Sequence, residues 1–215
     1  MKRRIRPVAV AIAASTALLL TGCGSGESGD GSPGTSAGEG SGSEKGPASP
    51  GASAKPDRGE RPKTELPKSF QAHFEGWKNS DPELQALLDD GKERLLASYG
   101  AIINQDPHHD AFTFYDTGDA LRTGTTWIKA FTDKNLTLIG KGRVFQPQPR
   151  IGPDGSGTLS YCVDEGKGST KDMKTGEVTD TPADDAFVLY RTELSRTDEG
   201  VWRTTMVRTE KGACK

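Results

Sequence analysis

The chain has 215 residues, of which 32% are hydrophobic and 27% are charged, and its formal net charge is −2. Residues 1–22 hold four basic residues and no acidic one, so the remainder carries 24 basic against 30 acidic residues, a net charge of −6. An acidic chain without a basic patch is a poor partner for nucleic acid or for an anionic membrane face. We therefore expect no nucleic-acid partner.

The first 22 residues have the pattern of a secretory signal peptide. Four basic residues among the first six are followed by an uncharged apolar run from Val8 to Leu20. This run is shorter than the roughly 20 apolar residues that a membrane-spanning helix needs. The pattern predicts export of the chain rather than a permanent transmembrane anchor.

The end of this segment resembles a bacterial lipobox. The motif consists of Leu20, Thr21, Gly22 and Cys23. In such signals the cysteine receives a diacylglyceryl group and becomes the first residue after cleavage. The resemblance implies a lipid anchor at Cys23 on the outer face of the cell membrane, where two acyl chains are enough for stable attachment. The alternative is an ordinary cleaved signal with an incidental cysteine.

Residues 23–67 are predicted to be a disordered tether. From residue 24 to residue 67, 25 of the 44 residues are Gly, Ser or Pro, and Leu66 is the only large apolar one. Such a segment cannot bury enough apolar surface to offset its conformational entropy. Gly24 to Gly29 matches a dinucleotide-binding pattern by letter, but that pattern works only between a strand and a helix. We expect no cofactor.

Residues 68–215 are predicted to form one α+β domain, with helices first and strands after them. Ser80 and Glu83 form a capping box ahead of a long amphipathic helix that ends near Gln105. The segment before it, residues 69–77, is predicted to be a short helix. A second helix is expected from Thr117, with Leu121, Trp127, Ile128 and Phe131 on its buried side. The rest is expected to form antiparallel strands.

Two cysteines remain once Cys23 is assigned to a lipid. Cys162 and Cys214 are an even pair in a chain predicted to be exported, which favours a disulfide. It would close a loop worth roughly 4 kcal/mol in the chain-entropy description. The alternative is two free thiols.

The order of these segments resembles a family of actinobacterial secreted proteins and lipoproteins with a nuclear-transport-factor-two-like (SnoaL-like, cystatin-like) cone. The resemblance covers about residues 83–214. The matching positions are Cys162–Asp164, Thr175, Gly176, Gly200, Trp202 and Cys214. It implies a curved antiparallel sheet that wraps a long helix and leaves a conical pocket. Members of the family mostly have no assigned activity.

The candidate pocket residues are Asp164, Tyr99 and Trp127. Asp164 is the carboxylate best placed to act in a pocket, although strand alternation puts it on the face of Cys162, opposite Tyr161. Tyr99 and Trp127 are candidates for the cavity wall, with ordinary core packing as the alternative. His108 and His109 lie in an Asp-rich turn, where adjacent side chains diverge, so no metal site is expected.

Three functions are compatible with the sequence. The first is a lipid-anchored, non-catalytic domain that binds a small ligand or an envelope protein. The second is a small enzyme of the isomerase, dehydratase or cyclase type that uses a pocket carboxylate. The third is a structural envelope protein. We favour the first because the sequence supplies an anchor, a spacer and a cross-linked domain but no evident base or nucleophile.

Overall fold

The computed structural model describes residues 60–214. The predicted signal peptide, the lipobox, Cys23 and most of the tether lie outside the described residues. The described part is α+β, as expected from the sequence. Its elements in chain order are β1 (Phe70–Phe74), α1 (Pro82–Ile103), α2 (Asp110–Tyr115), α3 (Gly118–Thr132), β2 (Leu136–Ile151), β3 (Gly157–Asp172), β4 (Val178–Asp180), β5 (Phe187–Arg196) and β6 (Trp202–Lys211).

The six strands form one sheet in the order β1-β2-β3-β5-β6, with β4 paired to the end of β3. Strand β1 runs parallel to β2, and the other pairs are antiparallel. The prediction of a purely antiparallel sheet was therefore wrong at this edge. Register shifts interrupt β2 between Lys141 and Arg143 and again between Phe145 and Gln148. Such bulges bend a strand and increase its twist.

Strand β1 also corrects the prediction of a short helix at residues 69–77. Its residues pair with β2 from Phe70 opposite Gly140 to Phe74 opposite Val144. Phe70, Ala72 and Phe74 share one face at the two-residue spacing of a strand, and all three pack on the main core cluster. This spacing was not recognised in the sequence because the segment is short and its partner strand lies about 70 residues further along the chain. The long helix is thus preceded by a strand.

Helix α1 packs its apolar face against the sheet. Its N-cap is Asp81, one residue after the predicted Ser80, and the Asp81 carboxylate accepts hydrogen bonds from the N–H groups of Glu83 and Leu84 at 2.8 and 3.0 Å. Gly91 interrupts the apolar stripe because a Cβ there would lie 2.5 Å from a methyl group of Leu159. The glycine lets the helix approach the middle strand closely.

Helix α3 covers one end of the sheet. Thr117 precedes its first residue, as predicted, but its side chain makes no capping hydrogen bond. Ala120 and Ile128 are the fully buried residues of this helix. Trp127 is 36% exposed, so the prediction that it belongs to the buried side was wrong. The helix turns this indole toward the rim of the cavity described below.

Residues 61–66, which were predicted to belong to the tether, are packed along α1. We call this segment the N-terminal arm. The Arg61 guanidinium binds the buried Asp90 carboxylate at 2.6 and 3.1 Å. The Tyr115 hydroxyl donates to the Pro62 carbonyl oxygen at 3.0 Å, and Leu66 packs on the main core. The folded region therefore begins before residue 68.

The disulfide predicted between Cys162 and Cys214 is confirmed. It links the middle of β3 to the residues that follow β6. Both cysteines are buried with Phe145 in a small cluster apart from the main core. Tyr161 and Val163, the neighbours of Cys162 on β3, belong to the main core instead. The disulfide thus lies on the face of the sheet opposite α1.

Candidate functional site

A cavity of about 370 Å³ lies between α1, α3 and the sheet. Its volume falls within the range of about 300–1,000 Å³ that is typical of small-molecule sites. Residues from β1, β2, β3, β5 and β6 and from both helices line it. It is bounded by α1 and α3 on one side and by the sheet on the other.

The walls of this cavity are mainly apolar. Aromatic rings come from four of its elements, and aliphatic side chains fill the space between them. The apolar lining residues are Phe70, Leu95, Tyr99, Trp127, Phe131, Leu138, Val188, Tyr190 and Val207. An apolar enclosure of this kind favours a ligand with a hydrophobic body, because binding removes its surface from water.

Glu165 is the carboxylate among the lining residues of the cavity. It sits on β3, two residues beyond Val163, so it shares the face of Tyr161 and Val163. Burial raises the pKa of its side chain, the nearby Lys211 ammonium opposes that rise, and Asp185 adds to it. A partly desolvated carboxyl group in an apolar cavity is suited to hold or to exchange a proton.

Two tyrosine hydroxyl groups accompany Glu165. Tyr99 and Tyr190 both line the cavity, and the ring of Tyr190 stacks on that of Tyr161 at a centroid distance of 5.1 Å. Burial raises the pKa of the Tyr99 and Tyr190 hydroxyls above their usual range. Both phenols therefore keep their protons near neutral pH, and each offers a ligand one donor and one acceptor.

Arg94 contributes a neutralised charge to the cavity wall. Its guanidinium makes a two-point contact with the Asp116 carboxylate at 2.8 and 2.9 Å, and both side chains are buried. Burial by itself would lower the pKa of Arg94, but the Asp116 carboxylate outweighs it and raises that pKa. Because this contact occupies the guanidinium, its main effect is to fix α1 against the segment between α2 and α3.

Asp164, the predicted pocket carboxylate, is not among the residues that line the cavity. Its carboxylate lies 3.5 Å from the Arg143 guanidinium and accepts a hydrogen bond from the Gly166 N–H at 3.0 Å. The prediction was wrong by one position because side chains alternate along β3. The face assignment made from the sequence already placed Asp164 with Cys162, and extending it by one residue would have selected Glu165.

The two predicted wall residues do line the cavity. Tyr99 is 3% exposed and reaches it from α1, while Trp127 reaches it from α3 and remains partly open to solvent. Core packing and a place on the cavity wall are compatible at Tyr99, which also makes an edge-to-face contact with Phe70 at 5.1 Å.

Residues 60–214 contain neither a cluster suited to a metal ion nor a helix suited to cross a membrane. No group of three or more His, Cys, Asp or Glu side chains within this range is arranged to hold a metal ion. Within the same residues, no helix combines the length and the apolar character needed to cross a membrane.

Comparisons with known proteins give no family for the chain. No protein-family model matches it, and no curated protein matches it. Solved structures similar to it include Aln2 from a Streptomyces species, with a TM-score of 0.44 and 15% identity over 62% of this chain and 94% of Aln2.

Two further solved structures resemble the chain at a similar level. The intermembrane-space region of the chloroplast protein ARC6 has a TM-score of 0.42 and 10% identity, over 63% of this chain and 100% of that region. ActVI-ORFA from Streptomyces coelicolor has a TM-score of 0.37 and 13% identity, over 55% of this chain and 95% of its own.

Proposed function

We propose that the domain is a binding module of the cone type, whose cavity holds a small molecule with an apolar body. The observation that carries this proposal is the cavity of about 370 Å³ with its mainly apolar wall. Protein interiors are normally packed with few voids. A retained cavity with several convergent polar groups is the usual form of a ligand site.

The proposal is tested by filling the cavity. Val207 lies on its wall, so Val207→Phe should reduce its volume. We expect the wild-type domain to bind the uncharged fluorescent probe N-phenylnaphthylamine at one saturable site, and the variant to bind at least about tenfold more weakly.

Val178→Phe is the matched control, because Val178 is 50% exposed on β4 and does not line the cavity. It should bind the probe like the wild type. Equal loss in both variants, or no saturable binding in the wild type, would refute the proposal.

We also propose that this module is carried on the outer face of the cell membrane by a lipid on Cys23. The support is the sequence from Leu20 to Cys23 after a short apolar run, followed by a segment rich in Gly, Ser and Pro. The membrane is thus the expected partner, and the tether would let the cavity meet a ligand away from the lipid surface.

The anchor is tested by mass spectrometry of the full-length protein expressed in its host. We expect a chain that begins at Cys23 and carries two or more acyl groups, and we expect Cys23→Ala to shift the protein from the membrane to the medium. An unmodified Cys23 in a chain that still fractionates with membranes would contradict this anchor.

A second candidate function is general acid–base catalysis by Glu165. The specific observation in its favour is a carboxyl group in the cavity wall whose burial raises its pKa. Such a group can take a proton from a carbon acid held in the cavity and return it elsewhere on the same molecule.

Catalysis is tested with nitrobenzisoxazole, which reacts when a base removes its C–H proton and the N–O bond breaks to give a cyanophenolate. A base in the cavity should accelerate this reaction, and Glu165→Gln should abolish the acceleration without weakening probe binding. Equal rates for the wild type and the variant would leave the binding module as the better function.

A further inference from the structure

A second, polar cavity of about 220 Å³ adjoins the apolar one. Glu165, Thr170, Thr181 and Lys211 line both cavities. Apart from Pro182, every residue that lines the second cavity carries a charge or a hydroxyl group. Thr179 and Asp180 in its wall are exposed, so this polar cavity lies on the solvent side of the apolar one.

The polar cavity has its own hydrogen-bond arrangement. The Thr181 hydroxyl donates to the Gly168 carbonyl oxygen at 3.0 Å, and the Thr170 hydroxyl donates to the Thr179 carbonyl oxygen at 3.5 Å. Each hydroxyl has a single proton, so these two oxygens are left as acceptors. The Asp180 carboxylate takes one hydrogen bond from Ser169 at 2.7 Å and retains further acceptor positions.

The charges around this cavity disfavour an anion. Glu165, Asp180 and Asp185 face it with one lysine, Lys211, and the Lys211 ammonium is already paired with Asp185 at 2.8 Å. The other cations near the site belong to the larger cavity: Arg94 is bound to Asp116, and Lys141 is exposed. An anionic head such as a carboxylate or phosphate would face the like charges of Glu165 and Asp180, and their repulsion costs free energy.

We propose that the two cavities form one site for an amphiphile, with the apolar body against Tyr99, Trp127 and Val207 and a donor-rich, non-anionic head among Thr170, Thr181 and Asp180. The head carries hydroxyl groups or an ammonium group, both of which donate hydrogen bonds to the acceptors of the polar cavity. This inference rests on the proposed binding function and specifies the ligand class for that site.

The inference is tested with four compounds that share a phenethyl body and differ in the head. They are phenethyl glucoside with hydroxyl donors, phenethylamine with an ammonium group, phenethyl methyl ether with no donor, and phenylpropionate with a carboxylate. Binding of each compound to the full-length protein is measured by calorimetry. Binding of N-phenylnaphthylamine, which has no such head, is measured alongside. We expect the glucoside, the amine or both to bind about tenfold more tightly than the ether, and phenylpropionate to bind most weakly.

Comparing the affinities for the glucoside and the amine decides between a hydroxylated and an ammonium head. Thr181→Val should reduce the affinity for the better of the two by about threefold and leave the ether unchanged, since it removes one acceptor at nearly constant volume. Thr158→Val is the control, because Thr158 is exposed on β3 and lines neither cavity.

Equal affinities for the ether and both donor compounds, or tightest binding of phenylpropionate, would overturn the inference while the binding function stands. Probe binding without binding of any phenethyl compound would also overturn it. If the probe fails as well, the proposed binding function itself is refuted.

Discussion

Glu165 is the carboxylate among the residues that line the larger cavity. Its backbone N–H donates to the Ala186 carbonyl oxygen at 2.7 Å, which fixes the strand, and its side chain turns to the cavity side. Alternation along β3 is the sequence signal that would have selected it in place of Asp164. The disulfide partners could be predicted from residue counting, whereas the choice between Asp164 and Glu165 required the register of one strand to be followed to its end.

Because burial raises the pKa of Glu165, the folded state binds its proton more tightly than the unfolded chain does. This contribution to stability is fully present below the ordinary carboxyl pKa of about 4.5 and is lost as the pH rises through the higher folded value. We therefore expect Glu165→Gln to raise the melting temperature near neutral pH, and the difference to vanish in acid. Thermal unfolding monitored by circular dichroism across this pH range measures it.

Glu193→Gln is the control for this prediction, since Glu193 is exposed and lies away from the cavity. Its effect on the melting temperature should be small. A Glu165→Gln variant that is less stable than the wild type near neutral pH would show that the carboxylate is stabilised by its surroundings.

Among the secondary-structure elements, helix α1 lies at the centre of the domain. Six consecutive residues, Ala97–Ile102, are buried because the sheet, α2, α3 and the N-terminal arm surround them. The apolar stripe predicted the side that faces the sheet. It did not predict the arm, because Gly100 carries no apolar side chain to mark a contact. A Cβ at Gly100 would lie 2.5 Å from the Thr64 methyl group, so the backbone itself forms the contact surface.

The arm should contribute to stability through Arg61. Asp90 is 1% exposed, and it accepts hydrogen bonds from Arg61 and from the Trp202 N–H at 2.8 Å. Arg61→Ala removes the cation that pairs with this carboxylate. We expect a loss of about 2–3 kcal/mol in the free energy of unfolding, somewhat below the value for a fully buried pair because Arg61 is partly exposed. Urea denaturation measures it.

Lys68→Ala is the matched control, because Lys68 is an exposed cation just after the arm. It should change stability by less than about 0.5 kcal/mol. Equal stability of the two variants would contradict a stabilising contribution from Arg61 of the arm.

The disulfide also constrains how the strands are held together. It joins β3 to the chain end with a sequence separation of 52 residues. Replacing both cysteines, as in Cys162→Ser with Cys214→Ser, should lower the free energy of unfolding by about 2–5 kcal/mol, since the unfolded chain regains the entropy of an open loop.

Reduction of the wild type should lower the urea midpoint to about that of the double variant. A midpoint insensitive to reductant would contradict this contribution. Probe binding should survive in the double variant under native conditions, because the disulfide lies on the opposite face of the sheet from the cavity.

In the domain as a whole, the topology of the sheet brings the lining residues of the site together. Its walls combine residues as distant in sequence as Phe70 and Lys211, brought together by a sheet in which the first strand is parallel and the others are antiparallel. The sequence predicted an α+β fold, the disulfide and two of the wall residues. The cavity shape depends on how far α3 stands from the sheet, which local patterns do not encode.

The cavity beneath α1 and α3 is proposed to be a ligand site. The most direct measurement is a titration of the isotopically labelled domain with phenethyl alcohol, followed by nuclear magnetic resonance. We predict saturable shifts of the Trp127 indole and of the amides of Gly142 and Val188, which line the cavity, with Val178 unaffected. Shifts scattered over the surface without saturation, or none at these three residues, would show that the cavity does not bind this ligand.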